Sequence, residues 1–380
     1  GDDLANSNYT DAAARKQLMA DALKLSVQDS LQVFLIDGLN YIPYTDKVQV
    51  TSDLVAGVAA AQIFPETIRF KDQEGGTLRW GDQDLFAEPW NPIAGSNWTF
   101  DQAAIRTTMS FSTMLDPYTG LAWPWRAEKA DLEARKDIQI YNNNGWVNLT
   151  SADTVTPDDD AWIDWDAGNQ KFQTVADAKA AKTVVDAFDA SLTTAADGFD
   201  VANVSADSLT TFLKDQATAF GTAAKTTLDL DTYLADAANA TLISDEVTNI
   251  SGMADDAAKK AEVVSFVKTT LTAVDPSNTF EMGSMDVTTS KIVSTIYYPA
   301  DMYDTVVWHD GSKLSAADFV MAMIMNFDRA KVNSPIYDEA AVPVFQSFMQ
   351  SFKGVKIVST NPLVIKTWSD SYFADAELDI

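Results

Sequence analysis

Apolar residues recur at helical spacing over residues 11–30, where Leu18, Met19, Ala22, Leu23 and Leu25 fall on one side and predict a helix. The run Leu31–Ile36 is short, apolar and ended by Asp37-Gly38, so it predicts a strand and a turn; a second strand is predicted at Val48–Val50. Short strands are also expected around Trp162, Trp165 and Phe172. From 176 to 272 the chain turns rich in Ala, Thr and Asp. Three amphipathic faces stand out there: Val184/Val185/Phe188/Leu192, Leu209/Phe212/Leu213/Phe220 and Val263/Val264/Phe266/Val267/Leu271. Gly198, Gly221 and Gly252 punctuate them, with no internal repeat. The most informative stretch is Thr305–Arg329. It reads as a strand-like run (Val306, Val307, Trp308), a tight polar turn (His309, Asp310, Gly311, Ser312) and a helix start. Ser315 and Asp318 have capping-box spacing, and Phe319, Val320, Met323, Ile324 and Phe327 behind them form one core face.

The wording of that stretch, W-H-D-G-S-x-L-S-A-x-D-F-V over Trp308–Val320, resembles the signature of the family 5 extracellular solute-binding proteins. These are the dipeptide, oligopeptide and nickel receptors of ABC importers. Weaker similarities accompany it. Arg15, Leu18 and Ala22 stand at the places of the R-x-x-L-x-x-x-A helix in the family's closing section. Thr77-Leu78-Arg79-Trp80, followed by Asp84–Pro92, resembles its first strand and loop. Asp116-Pro117-Tyr118-Thr119-Gly120 and Trp123–Glu128 resemble its early D-P-x-T-G and P-x-x-A-E segments, and Val355–Trp368 resembles a later strand pair.

The family-like pieces therefore run in the order C-terminal, then N-terminal. A circular permutation, a duplication and a piece of a longer chain each account for this, and the last is the preferred expectation. The division expected is 1–75, resembling the closing section; 76–175, the first part of an N-terminal-type sheet lobe; 176–275, a helical insertion; and 276–380, the lobe continued. The fold class that the resemblance implies is α/β, a type II periplasmic-binding-protein-like lobe with a mixed sheet flanked by helices.

Composition narrows the chemistry. The formal net charge of −28 argues against a nucleic-acid partner, which would need clustered Lys and Arg, and describes a self-repelling acidic surface. Without cysteine the chain has no disulfide, thiolate nucleophile or zinc–sulfur site. His309 is the single histidine, so two-histidine zinc motifs are excluded, and no Gly-x-Ser-x-Gly elbow or phosphate-cradling glycine loop is present. His309 reads as a turn-structuring residue, the role that the resemblance also implies. Asp158-Asp159-Asp160 with Asp164, Asp166 and Asn169 is the densest oxygen cluster, but Ala176 stands where an EF-hand loop begun at Asp164 would place its bidentate Glu. It reads as a solvated acidic loop, with no metal. No local pattern promotes any carboxylate pair to glycoside chemistry. Catalysis is therefore not expected, and neither is a cofactor.

Ten tryptophans and eleven tyrosines offer aromatic surface for an organic ligand. The candidate ligand-binding residues are Trp90, Ser96, Asn97, Trp98 and Asp101, because they follow the presumed first strand, where the family places a loop and helix N-terminus facing its cleft. The structural motif comprises Trp308, His309, Asp310, Gly311, Ser315 and Asp318. Peptide-binding members hold the ligand's ammonium with a late Asp; no matching motif stands here, so the ligand class stays open. Sequons at Asn8, Asn97, Asn148, Asn203, Asn239 and Asn249 are candidate glycosylation sites.

The resemblance implies capture of a small solute outside the cell, a peptide or another organic ligand, for the membrane subunits of an ABC importer. The alternative is an exterior structural or assembly protein, a surface layer or filament that self-associates.

Overall fold

Alternating burial along Lys129–Arg135 marks the strand on which the main sheet is built: Ala130, Leu132 and Ala134 are buried, while Lys129 and Glu133 face solvent. The computed structural model describes residues 4, 9, 12–30, 35, 41–53, 57–81, 93–96 and 98–380. Its contacts divide the chain into two units. One comprises the chain up to Phe172 together with Thr288–Ile380, and the other is Gln173–Val287.

The first unit opens with helix α1 (Ala12–Asp29) and a small ribbon of β1 (Val48–Gln49) and β2 (Arg69–Phe70), between which lie the single turns α2 (Gly57–Ala60) and α3 (Phe64–Thr67). Helix α4 (Thr99–Arg106) and the hairpin β3 (Thr113–Leu115) and β4 (Ala122–Pro124) follow. Next come β5 (Lys129–Arg135), β6 (Val147–Ala152), β7 (Trp162–Asp166) and β8 (Lys171–Thr174). After the second unit the chain returns as β9 (Ile292–Tyr297), the capped helix (Ala316–Asp328), a further helix (Ala341–Ser351), and the hairpin β10 (Phe352–Thr360) and β11 (Leu363–Ser369). Seven strands form one mixed sheet in the order β6-β5-β9-β11-β10-β7-β8. β5 and β6 run parallel, whereas β9 is antiparallel to both β5 and β11.

Register fixes which side chains share a face. Val147 lies opposite Ala130 and Leu149 opposite Leu132, so these four look toward one core, completed by Ile292, Tyr372 and Ala376. On the same face Ile296, Ile365, Ile357 and Val355 pack with Phe327, Phe319 and Met323 of the capped helix and with Phe345 and Met349 of the next. The opposite face carries a hydrogen-bonded row: the Tyr297 hydroxyl donates to Asp131 Oδ2 at 2.7 Å, and Asn148 Nδ2 donates to Asp131 Oδ1 at 3.0 Å. Trp368 lies further along, fully buried, with Lys366 Nζ 4.8 Å from its ring centre.

The second unit is helical: α5 (Val175–Asp197), α6 (Ala206–Ala224), α7 (Leu230–Ala235), α8 (Leu242–Gly252), α9 (Asp256–Val274) and α10 (Thr279–Ser284). The three amphipathic faces read from the sequence lie on α5, α6 and α9. Val185, Phe188, Leu192, Leu209, Leu213, Phe220, Val263, Val267 and Leu271 are buried together. Phe220 stacks on Phe280 at 4.1 Å between ring centres. Thr174 and Asp177 close a reciprocal cap on α5, and Asp255 caps α9. With these two helices placed, the capped helix of the first unit is α12 and the next is α13, after the short α11 (Met302–Thr305).

Gly283 on α10 lets two helices meet. A Cβ there would stand 2.8 Å from Val185 Cγ2 and 3.1 Å from the Ala181 carbonyl carbon and oxygen, which are backbone and cannot swing away. Gly283→Val is expected to cost about 1–3 kcal/mol by overpacking. The readout is far-UV circular dichroism against denaturant; an unchanged midpoint would mean that α5 and α10 separate at no cost.

Several expectations are corrected. Thr77–Trp80 is irregular chain and no strand. Among the described residues Val306–Trp308 makes only the isolated bridge Val307 to Lys313, because the Trp308 backbone is spent on closing the turn, its N–H to Ser312 O at 2.7 Å and its carbonyl accepting from Gly311 N at 2.9 Å. Leu31–Ile36, Asp37-Gly38 and Asp84–Pro92 lie largely or wholly outside the described residues, as do Asn8, Trp90 and Asn97.

Candidate functional site

Helix α4 is short, and local chemistry sets both of its ends. At the start, the Ser96 hydroxyl accepts from Trp98 N at 3.2 Å and donates to Asp101 Oδ2 at 2.7 Å, while Gln102 Nε2 donates to the Ser96 carbonyl. Asp101 is buried, so its carboxylate needs such donors. At the far end, the Thr107 and Thr108 hydroxyls donate to the carbonyls of Ala104 and Ile105 at 2.6 and 2.8 Å.

One face of this helix lines a cleft of about 520 Å³. Gln102, Ile105 and Arg106 stand one turn apart on it, and Met109 follows just beyond its end. Asp53, Gln62 and Ser96 add polar atoms to the lining; Phe111, Leu115 and Pro117 add apolar surface. Gln62 is oriented by its own bond: Oε1 accepts from Leu115 N at 3.2 Å. The Pro117 side is a rigid turn. Asp116 Oδ1 accepts from the backbone N–H groups of Tyr118 and Thr119 at 2.9 and 2.6 Å, and Gly120 takes a positive φ of 72° to close it. Those bonds from Thr119 and Tyr118 hold the exposed Asp116 carboxyl below its usual range. The volume and the mixture of apolar wall with a few convergent polar groups suit a small organic molecule.

The motif at 305–329 contributes no residue to the lining of this cleft and touches the segment that follows α4. Ser315 N donates to Asp318 Oδ2 at 2.7 Å in the reciprocal cap of α12. Asp310 Oδ1 accepts from Ser312 N and Oγ at 2.9 and 2.6 Å, and Gly311 has φ of 86°. His309 Nε2 lies 3.5 Å from the carbonyl of Thr108, two residues beyond the end of the cleft helix. The segment after it is held by Tyr298, whose hydroxyl is 2.6 Å from Ser112 Oγ. The turn thus borders the segment just after the cleft helix.

Of the residues singled out in the sequence, Ser96 lines the cleft, Asp101 supports Ser96 from within, and Trp98 stands at the helix entry. Trp90 and Asn97 lie outside the described residues. Sequence reasoning missed Gln62, Gln102 and Arg106; the one-turn spacing of Gln102, Ile105 and Arg106 was the available signal. The acidic loop is met by lysine: Lys356 Nζ reaches Asp158 at 3.2 Å and Asp160 at 2.7 Å, and Lys331 reaches buried Asp164 at 2.7 Å. Among the described residues no group of three acidic, histidine or cysteine side chains is placed to hold a metal, and no helix is long and apolar enough to cross a membrane. Comparison with protein-family models, with curated proteins and with solved structures gave no match.

Proposed function

We propose that this chain is an extracytoplasmic solute-binding protein, which captures a small organic solute, a peptide or another ligand, for the membrane subunits of an ABC importer. The observation that carries the reading is the Trp308–Val320 wording on a tight turn and capped helix, with His309 beside Thr108 in the segment that follows the cleft helix. On this reading the seven-stranded sheet with its helices belongs to a type II periplasmic-binding-protein lobe. A second lobe would close over the ligand by hinge motion, favoured by contacts made only in the closed state. Gln102 and Arg106 are the polar groups of the cleft helix that would meet the solute's hydrogen-bonding or anionic groups, and Ile105, Met109 and Phe111 its apolar part.

A second reading, an exterior assembly protein, is favoured by apolar side chains left bare on two helices. Met321 of α12 is 54% exposed, and Val344 and Phe348 of α13 are 71% and 44% exposed. Native mass spectrometry of the protein from its source separates the two. A mass exceeding the denatured mass by a few hundred daltons (about the mass of a small organic solute) means a retained ligand. Ordered multimers without an adduct would overturn the receptor reading.

With a ligand in hand, saturation at about 100-fold above Kd should stabilise the protein by about 2.7 kcal/mol. Gln102→Ala and Arg106→Ala are each expected to remove most of that gain while leaving the ligand-free melting temperature within a few degrees. A gain retained in both variants would place the solute elsewhere.

A further inference from the structure

We infer that Asn148 is the acceptor at which the folded chain takes an N-linked saccharide, and that the other described sequons are closed to this reaction by their conformation. Transfer needs the asparagine amide and the hydroxyl two residues later on one accessible side of the chain. In a strand, residues i and i+2 share a face; in a helix they point apart.

Asn148, Leu149 and Thr150 lie in β6, the terminal strand of the sheet, which pairs with β5 and with no second strand among the described residues. Asn148 and Thr150 are exposed and share the polar face, while Leu149 turns toward the core. The hydroxyl of Thr150 is weakly engaged, 3.5 Å from the Leu132 carbonyl. The Asn148 amide makes a single exposed bond to Asp131 at 3.0 Å, which a competing enzyme site can replace.

The other three differ in backbone setting: none has its asparagine and its hydroxyl residue on one strand. Asn203 ends a 3-10 turn with its amide on Asp200 at 2.9 Å, and its partner Ser205 is the N-cap of α6, its hydroxyl engaged by Ser208 N at 3.2 Å. Asn239 is partly buried and donates to the Tyr233 carbonyl at 3.0 Å. Asn249 and Ser251 both lie on helix α8, where residues two apart point to different sides.

The donor is a polyprenyl-phosphate-linked saccharide. The Asn148 amide nitrogen forms a bond to the anomeric carbon, the bond from that carbon to phosphate oxygen breaks, the lipid phosphate leaves with the electron pair, and the amide proton passes to a base of the transferase. A saccharide there shields a terminal strand, the kind of sheet edge that invites pairing with another chain.

The inference concerns the folded chain itself and stands apart from the transport reading. The test treats folded full chain and heat-denatured chain with a purified single-subunit oligosaccharyltransferase and its lipid-linked donor, followed by peptide mapping. In the folded chain the saccharide mass is expected on the Asn148 peptide and absent from those of Asn203, Asn239 and Asn249; in the denatured chain all four gain it. Asn148→Gln and Thr150→Ala should each abolish the folded-state signal. Modification of Asn203, Asn239 or Asn249 to the level of Asn148 in the folded chain overturns the inference, as does an unmodified Asn148 that accepts saccharide only after denaturation.

Discussion

Trp368→Ala is expected to destabilise the sheet unit by about 3–5 kcal/mol, the largest single-residue effect in that unit. Trp368 is fully buried on β11, between Val293 of β9 and Gly354 of β10 in register, and Gly354 has no side chain with which to fill the space left behind. The loss combines transfer of a large indole to water with a cavity that flanking strands cannot collapse, since their spacing is set by hydrogen bonds. The measurement has a built-in separation of the two units: all ten tryptophans lie outside Gln173–Val287, so indole fluorescence reports the sheet unit alone. The fluorescence midpoint should fall by about 5–10 °C. A change below about 1 kcal/mol would mean that the neighbours close over the cavity.

Glu377→Ala is expected to cost about 3 kcal/mol at neutral pH, because it orphans several backbone donors at once. The fully buried carboxylate accepts from Asn144 N at 2.7 Å, Gly145 N at 3.2 Å and Asn143 N at 3.2 Å, tying the loop before β6 to the turn Ala376–Asp379. Burial alone would raise its pKa, but the Asp375 carboxyl and the amides of Asn144 and Asn143 outweigh burial and hold it below the usual glutamate range. A lowered folded pKa contributes stability above the unfolded value, near 4.3, and that contribution is lost as pH falls through the folded value. Asp379 has the opposite sign. Burial first, with Asp375 adding to it against the Phe373 N–H, pushes its pKa up to about 8, and its Oδ2 is buried without a hydrogen-bond partner. Its contribution is present below the unfolded value, near 3.9, and is lost as pH rises toward 8. Melting curves from acid to alkaline pH should therefore show Asp379→Asn gaining on the parent protein as pH rises through that window. Glu377→Ala should lose its disadvantage as pH falls below 4. Parallel curves for parent and both variants would remove these two groups from the pH dependence.

Local pattern carried much of the helical unit into view. The faces at Val185/Phe188/Leu192, Leu209/Leu213/Phe220 and Val263/Val267/Leu271 could be read because each helix turns one wide stripe inward and contributes it to a single core. The Ser315 and Asp318 cap was equally legible, since it needs only residues three apart. What stayed hidden depends on distant partners. Thr77–Trp80 has strand composition but no strand pairs with it among the described residues, and Trp308 spends its backbone on a turn that composition alone does not distinguish from a strand end. The cleft was found only at Ser96. Gln62 enters it through a hairpin far along the chain, and Arg106 belongs to no motif in the sequence.

The interruption of the sheet by the helical unit also orders events in time. β5 pairs with β9 from Lys129–Tyr297 to Ala134–Ile292, so two adjacent strands are separated in the chain by the entire Gln173–Val287 segment. Loop closure across a segment of that length costs little more free energy than across a shorter one, because the penalty rises only with the logarithm of length. The cost falls on speed instead. Neighbouring helices collapse early on local contacts, whereas β9 must be synthesised and find β5 before the sheet exists. During that interval the emerging chain carries a helical body and an unfinished sheet, whose strand β5 lacks its partner on the β9 side and is the part most open to misassociation.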